Sequence, residues 1–243
     1  MTAALTLYGV TKRFGGLHAV HDVSVAIAER QITGLIGPNG AGKTTLFRVI
    51  SGAVRPTSGR VLLAGREISG RSPHEVCRLG VCLTHQIVRP FADLSVLENV
   101  IVAAAFGSGG RLRDTIRAEA EGVLAFTGLA DRSRAPAAVL TLAERKRLEI
   151  ARALATRPVV LLLDEVLAGL NPAETEQAVE LVREIAASGV TILMIEHVMR
   201  AIMALADRVL VLNFGGLIAD GPPAEVAGLP QVIEAYLGQR LEV

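Results

Sequence analysis

Short apolar runs punctuate the chain between glycine- and proline-bearing turns, and their period changes along its length. Leu5–Val10 and Asp22–Ile27 alternate apolar and polar residues in part, which predicts two short strands. Gln31–Ile36 is an apolar run that stops at Gly37-Pro38-Asn39-Gly40, and beyond Lys43 the residues Leu46, Val49 and Ile50 fall at helical spacing. That segment reads as strand, glycine loop, helix. Val61–Ala64 and Gly80–Thr84 predict further strands. From Leu94 to about Arg157 the pattern turns helical, through Leu97–Ala104, Ala118–Phe126 and Leu148–Leu154, with Gly107–Gly110 as a joint. Val159–Leu163 and Thr191–Ile195 are bare apolar runs, as expected of central strands covered on both faces, and Ala173–Ala187 predicts a helical crossover between them. The expectation is a single domain over residues 1–243, with an α/β core (about 1–86 and 158–243) interrupted by a helical subdomain (about 87–157).

Composition narrows the function classes. The 243 residues are 51% hydrophobic, which excludes a disordered chain and allows a full core. With 25 basic and 24 acidic residues the formal charge is +1, so no electrostatic footprint for nucleic acid is present and no nucleic-acid partner is expected. A mean hydropathy of +0.44 raises the question of a membrane span. Apolar stretches such as Val100–Phe106 and Val159–Leu163 fall far short of the roughly 20 residues a span needs. The N-terminus carries no export signal, so a cytosolic protein is expected, touching membranes only through a partner. Cys77 and Cys82 form an isolated C-x4-C pair without a second half, which reads as two thiols and not as a zinc site.

Residues 37–44, Gly37-Pro38-Asn39-Gly40-Ala41-Gly42-Lys43-Thr44, fit the pattern G-x-x-x-x-G-K-[ST]. Glycines let successive backbone N–H groups turn inward onto phosphate oxygens, and the following helix adds its positive end. Lys43 would reach the β- and γ-phosphates, while the Thr44 hydroxyl would ligate Mg²⁺. The chain holds three lysines in all, so a chance match is improbable. Asp164 ends a central apolar run, where a carboxylate can hold Mg²⁺ through its water shell, and Glu165 after it can take a proton from an attacking water. Taken alone, that Asp-Glu pair is equally suited to capping the next helix.

Further stretches resemble the ATPase subunits of the ABC family over essentially the whole length. The resemblance implies a P-loop NTPase core with an N-terminal antiparallel β subdomain and the helical insert. It implies that Phe14 in "KRFGG" stacks on adenine and that Thr45 joins the phosphate loop in binding ATP. Gln86 in "LTHQ" would sense Mg²⁺ and γ-phosphate, and His197 in "ILMIEH" would close on the γ-phosphate. The loop "LAGLNP" would cross to a second protomer. The catalytic set is then Glu165, His197 and Gln86, and the Mg²⁺ set Thr44, Gln86 and Asp164. "FGGLHAV", "AGLNPAET", "IEHVM" and the tail "VIEAYLG" look like the ATPase subunits of branched-chain amino-acid importers, in particular the larger-tailed of the two such subunits. That implies transmembrane permease partners, a second ABC ATPase subunit, and a place on the inner face of the cell membrane. ATPases of lipopolysaccharide export share much of the pattern and remain the alternative, beside ABC ATPases outside transport, a P-loop module that binds without hydrolysis, and a small-molecule kinase.

One motif departs. The family's L-S-G-G-Q loop, which caps ATP on the opposite protomer, corresponds here to Leu140-Thr141-Leu142-Ala143-Glu144, with trans contacts expected from Thr141, Leu142, Ala143 and Glu144. Both glycines are replaced. An alanine held in a left-handed conformation costs about 1–2 kcal/mol, so a weakened trans half and a heterodimer with a glycine-bearing partner are expected, a homodimer being the other possibility.

Overall fold

The computed structural model describes residues 3–84, 90–107 and 113–237. The chain opens with a hairpin of two 12-residue strands, β1 (Ala3–Phe14) and β2 (Leu17–Ala28). Both outrun the expected segments, because pairing continues through polar positions and past several register shifts that an alternation pattern cannot register. Strand β3 (Ile32–Ile36) leads through the glycine loop into α1 (Lys43–Ile50), followed by β4 (Ser58–Leu63) and β5 (Arg66–Glu67). Helix α2 (Pro73–Leu79) precedes β6 (Val81–Leu83). The helical segment supplies α3 (Val96–Gly107), α4 (Arg113–Phe126) and α5 (Leu142–Ala155). Strand β7 (Val160–Asp164), helix α6 (Pro172–Ala187) and strand β8 (Thr191–Ile195) follow the expected apolar runs and crossover closely. The C-terminal part adds α7 (Met199–Leu205), β9 (Arg208–Asn213), β10 (Gly216–Gly221), α8 (Pro223–Ala227) and α9 (Pro230–Leu237).

Two sheets result. One is antiparallel in the order β2-β1-β4-β5; the other runs β10-β9-β3-β8-β7-β6, parallel throughout except for β10 at its edge. Every residue of β3, β7 and β8 is buried, since both faces of the parallel sheet are covered. Alternation divides those side chains between two cores. Val160 and Leu162 of β7 face the antiparallel sheet and α1, where Phe47 is fully buried, whereas Leu161 and Leu163 face α6 and α7. A third cluster joins α3, α4 and α5 through Val96, Val100, Leu124 and Leu148. Helix α5 belongs to two of these clusters at once: Leu148, Ala151 and Ala155 pack into the third, Ile150 and Ala153 into the second.

The consequence for the site is geometric. Strands β3, β8 and β7 are parallel neighbours, so the loops after all three leave the same sheet edge, where ligands of open parallel sheets bind. No described helix is long and apolar enough to cross a membrane.

Candidate nucleotide site

The glycine loop is fixed by its neighbours. Gly37 has φ 146°, and a Cβ on it would lie 2.1 Å from the Leu212 carbonyl oxygen; Gly42, with φ 102°, would bring a Cβ within 2.2 Å of the Ala19 carbonyl oxygen. Both contacts are with backbone, so neither position accepts a side chain. Lys43 is buried, and its Nζ donates to the carbonyls of Gly37 (2.7 Å) and Pro38 (3.0 Å), folded back over the loop it follows. Burial pulls the Lys43 pKa down, while the carboxylates of Glu165 and Asp164 push it up. Thr44 is exposed and Thr45 half-buried at the start of α1.

A cleft of about 580 Å³ opens above this loop and brings together residues that the sequence singled out from four separate places. Phe14 from the end of β1, the loop residues 39–45, Glu165 and His197 all line it. The Phe14 ring is 49% exposed, with Lys12 Nζ 4.9 Å from its centroid. Leu17, His18 and Ala19 of β2 and Phe214 of the β9–β10 turn complete the wall; none of the four was expected. His18 stands edge-on to His21 at 5.1 Å.

Asp164, buried at the tip of β7, has its N–H on the Thr84 hydroxyl at 3.2 Å. Glu165 follows in a left-handed conformation, φ 51°, which costs a non-glycine residue about 1–2 kcal/mol. Two bonds hold it there. Its N–H donates to the Ile195 carbonyl (3.0 Å), and its own carbonyl accepts from Lys146 Nζ (2.8 Å) of α5. The side chain is paired as well, His197 Nε2–H donating to Glu165 Oε1 at 2.7 Å. Beneath this pair lies Glu196, 2% exposed, whose Oε1 accepts from the Leu167 N–H at 2.8 Å. Burial raises the Glu196 pKa to about 7, against the pull of the Leu167 N–H and of Lys146. Neither Lys146 nor Glu196 was read from sequence as functional. The available signal was a Lys among arginines in α5, and a Glu between an apolar strand and His197.

The trans segment corrects an expectation. Leu142, Ala143 and Glu144 form the first turn of α5, and neither Leu142 nor Ala143 has a positive φ. Thr141 is the N-cap: its hydroxyl accepts from the Glu144 N–H (3.2 Å), and the Glu144 carboxylate accepts from the Thr141 N–H (2.8 Å). T-x-x-E is thus a capping box, and no left-handed strain arises at 142 or 143. Leu142 is 49% exposed, and Glu144 is paired with Arg132 Nε at 2.8 Å. None of the four residues lines the cleft. Gln86 lies outside the described residues.

Comparison with known proteins agrees with this layout. Residues 20–168 match the family model described as ABC transporter, and residues 217–241 match that of the branched-chain amino acid ATP-binding cassette transporter. The high-affinity branched-chain amino acid transport ATP-binding protein LivG of Salmonella typhimurium is 41% identical, across 97% of this chain and 98% of that protein. BraF of Pseudomonas aeruginosa, which bears the same description, is 40% identical over 97% and 98% of the two chains. A crystal structure of the ADP conformation of MJ1267, an ATP-binding cassette of an ABC transporter, superposes with a TM-score of 0.88 at 29% identity, covering 98% of this chain and 100% of that one. The chain belongs to the ABC transporter ATP-binding family, among the branched-chain amino acid cassettes.

Proposed function

We propose that this chain binds ATP with Mg²⁺ and hydrolyses it to power a membrane transporter that takes up branched-chain or related amino acids. The observation that carries the reading is the single cleft joining the phosphate loop to the Glu165–His197 pair. The cargo rests on the descriptions of LivG and BraF. Loop N–H groups and Lys43 would bind the phosphates, and Phe14 would stack on the base. Glu165 would take the proton of the attacking water, with His197 holding its carboxylate until the γ-phosphate arrives. Thr44 and Asp164 offer a hydroxyl and a carboxylate, hard oxygen donors that suit Mg²⁺, with Gln86 as a third. When bound, the cation offsets charge on the β- and γ-phosphates. Lys43→Ala should abolish ATP binding and hydrolysis together; undiminished binding of a fluorescent ATP analogue would overturn the reading.

The permease contact is assigned to the groove beside Phe91, with residues 87–157 acting as the helical subdomain. Buried Asn99 holds the Phe91 backbone by two bonds, from the Phe91 N–H to Oδ1 (2.9 Å) and from Nδ2 to the Phe91 carbonyl (3.0 Å). The ring is left 48% exposed, with Arg152 5.4 Å from its centroid. Phe106 and Val102 extend this apolar surface, which suits a short cytoplasmic helix of a permease and would place the chain on the inner face of the membrane. The working form is a dimer with a second ABC ATPase, a heterodimer in our reading. With backbone strain absent at residues 142 and 143, this rests on the bulk of exposed Leu142 and the acidic Glu144 where a partner's ATP would approach.

A further inference from the structure

The C-terminal helix reaches the phosphate loop. Tyr236, on the last turn of α9, accepts a hydrogen bond at its hydroxyl oxygen from the Gly37 N–H at 2.8 Å. The two residues are 199 positions apart, so nothing local in the chain enforces the contact. Helix α9 and the loop also share the walls of a cleft of about 710 Å³, which runs from Pro38 and Gly40 to Gln231 and Glu234. Gly37 is the joint at which β3 becomes the phosphate loop. Its φ of 146° and its contact with the Leu212 carbonyl leave it no side chain of its own to hold it in place. Two side chains grip it instead: Tyr236 at the N–H, and Lys43 at the carbonyl, 2.7 Å away.

We infer that Tyr236 is a positioning residue for ATP binding, and that α9 is thereby a working part of the nucleotide site. The inference rests on the reading of residues 37–44 as that site. When Lys43 turns to phosphate it releases the Gly37 carbonyl, and Tyr236 then remains as the side chain that orients this joint. Without the hydroxyl, the Gly37 N–H loses its partner and the loop populates orientations that do not match phosphate. Apparent affinity falls in proportion to the fraction of loops correctly set. Turnover of ATP once bound is untouched, because Glu165 and His197 are carried by other elements.

Tyr236→Phe isolates the oxygen, since the ring and its packing are kept. One hydrogen bond of ordinary net strength corresponds to about a five- to tenfold change in population, so the Kd for ATP should rise about five- to tenfold. The kcat at saturating ATP should stay at the wild-type value, and the melting temperature should fall by no more than about 2–4 °C. Tyr236→Ala should show at least the same loss of affinity, with a lower melting temperature as the ring is removed. A Tyr236→Phe protein with wild-type Kd would overturn the inference, as would a melting temperature that falls while Kd does not. Lys43→Ala runs alongside as the reference. If wild type shows no Lys43-dependent ATP binding, the nucleotide reading fails and takes this inference with it. If wild type binds ATP and Tyr236→Phe matches it, this inference fails alone.

Discussion

Replacing Glu196 by Gln tests the buried carboxyl beneath the Glu165–His197 pair. Glu196 is 2% exposed at the end of β8, where it faces Lys146 of α5, the Leu167 and His197 N–H groups and the Glu165 carboxylate. Burial lifts its pKa from the ordinary 4.5 to about 7. The folded protein therefore holds this proton more tightly than the unfolded chain does. Glu196 favours folding in full below pH 4.5, and that contribution is lost as the pH rises to about 7. A shift of this size is worth about 3 kcal/mol in all, and about 2 kcal/mol between roughly pH 5.5 and pH 8. Glutamine keeps an oxygen for the Leu167 N–H but cannot titrate. Urea unfolding of both proteins, followed by circular dichroism at the two pH values, reads the difference directly. Relative to Glu196→Gln, wild type should be more stable at the lower pH by about 2 kcal/mol more than at the higher. Parallel pH dependence in the two proteins would refute the argument.

Glu165→Gln should keep ATP affinity, lose hydrolysis and accumulate an ATP-bound dimer on size-exclusion chromatography; wild-type turnover would remove Glu165 as the base. Gly42→Ala should abolish ATP binding, because its Cβ would stand 2.2 Å from the Ala19 carbonyl oxygen in a backbone conformation that costs alanine about 1–2 kcal/mol, and equilibrium binding measures this. Phe91→Asp should change unfolding free energy by no more than about 0.5 kcal/mol, since the ring is half exposed, yet detach the chain from membranes carrying its permease in a flotation assay. Leu142→Gly with Ala143→Gly should raise ATPase activity of the purified single subunit; brisk cooperative hydrolysis unaltered by the change would instead favour a homodimer.

Sequence pattern showed β3, β7 and β8 of the parallel sheet almost to the residue. β7 and β8 are buried on both faces, and that leaves a bare apolar run with turns at either end. It failed where the evidence was a cap and not a period. Ser72-Pro73-His74-Glu75 carries a capping box and a proline at the first turn of α2, and Thr141–Glu144 carries another at α5. Reading the second as a loop led to the expectation of strain at Ala143 that the helix removes. The β9–β10 hairpin was missed although Asn213-Phe214-Gly215-Gly216 marks its turn. In the site, the phosphate loop and the Asp164-Glu165 pair stand out as short contiguous patterns, His197 entered through the family resemblance, and the fold brings residues 39–45, Glu165 and His197 to one cleft. Lys146 and Tyr236 were not legible, since each acts through one backbone group 19 and 199 residues away. A contact to main chain leaves no trace in the residue type of its partner.

Helix α5 is built into two cores, with Leu148 and Ala151 in one and Ile150 and Ala153 in the other. The boundary between the helical segment and the parallel sheet therefore runs along the axis of a helix and not through a linker. Pulling α3 and α4 away would strip one side of α5 while the other stayed docked, exposing apolar surface on both pieces. Such a segment does not melt by itself. Amides of α5 should exchange with deuterium only when the whole molecule opens, at the same rate as those of β7, and the chain should unfold in one cooperative step. An excised fragment of residues 90–157 would carry the uncovered Ile150–Ala153 face into solution and aggregate.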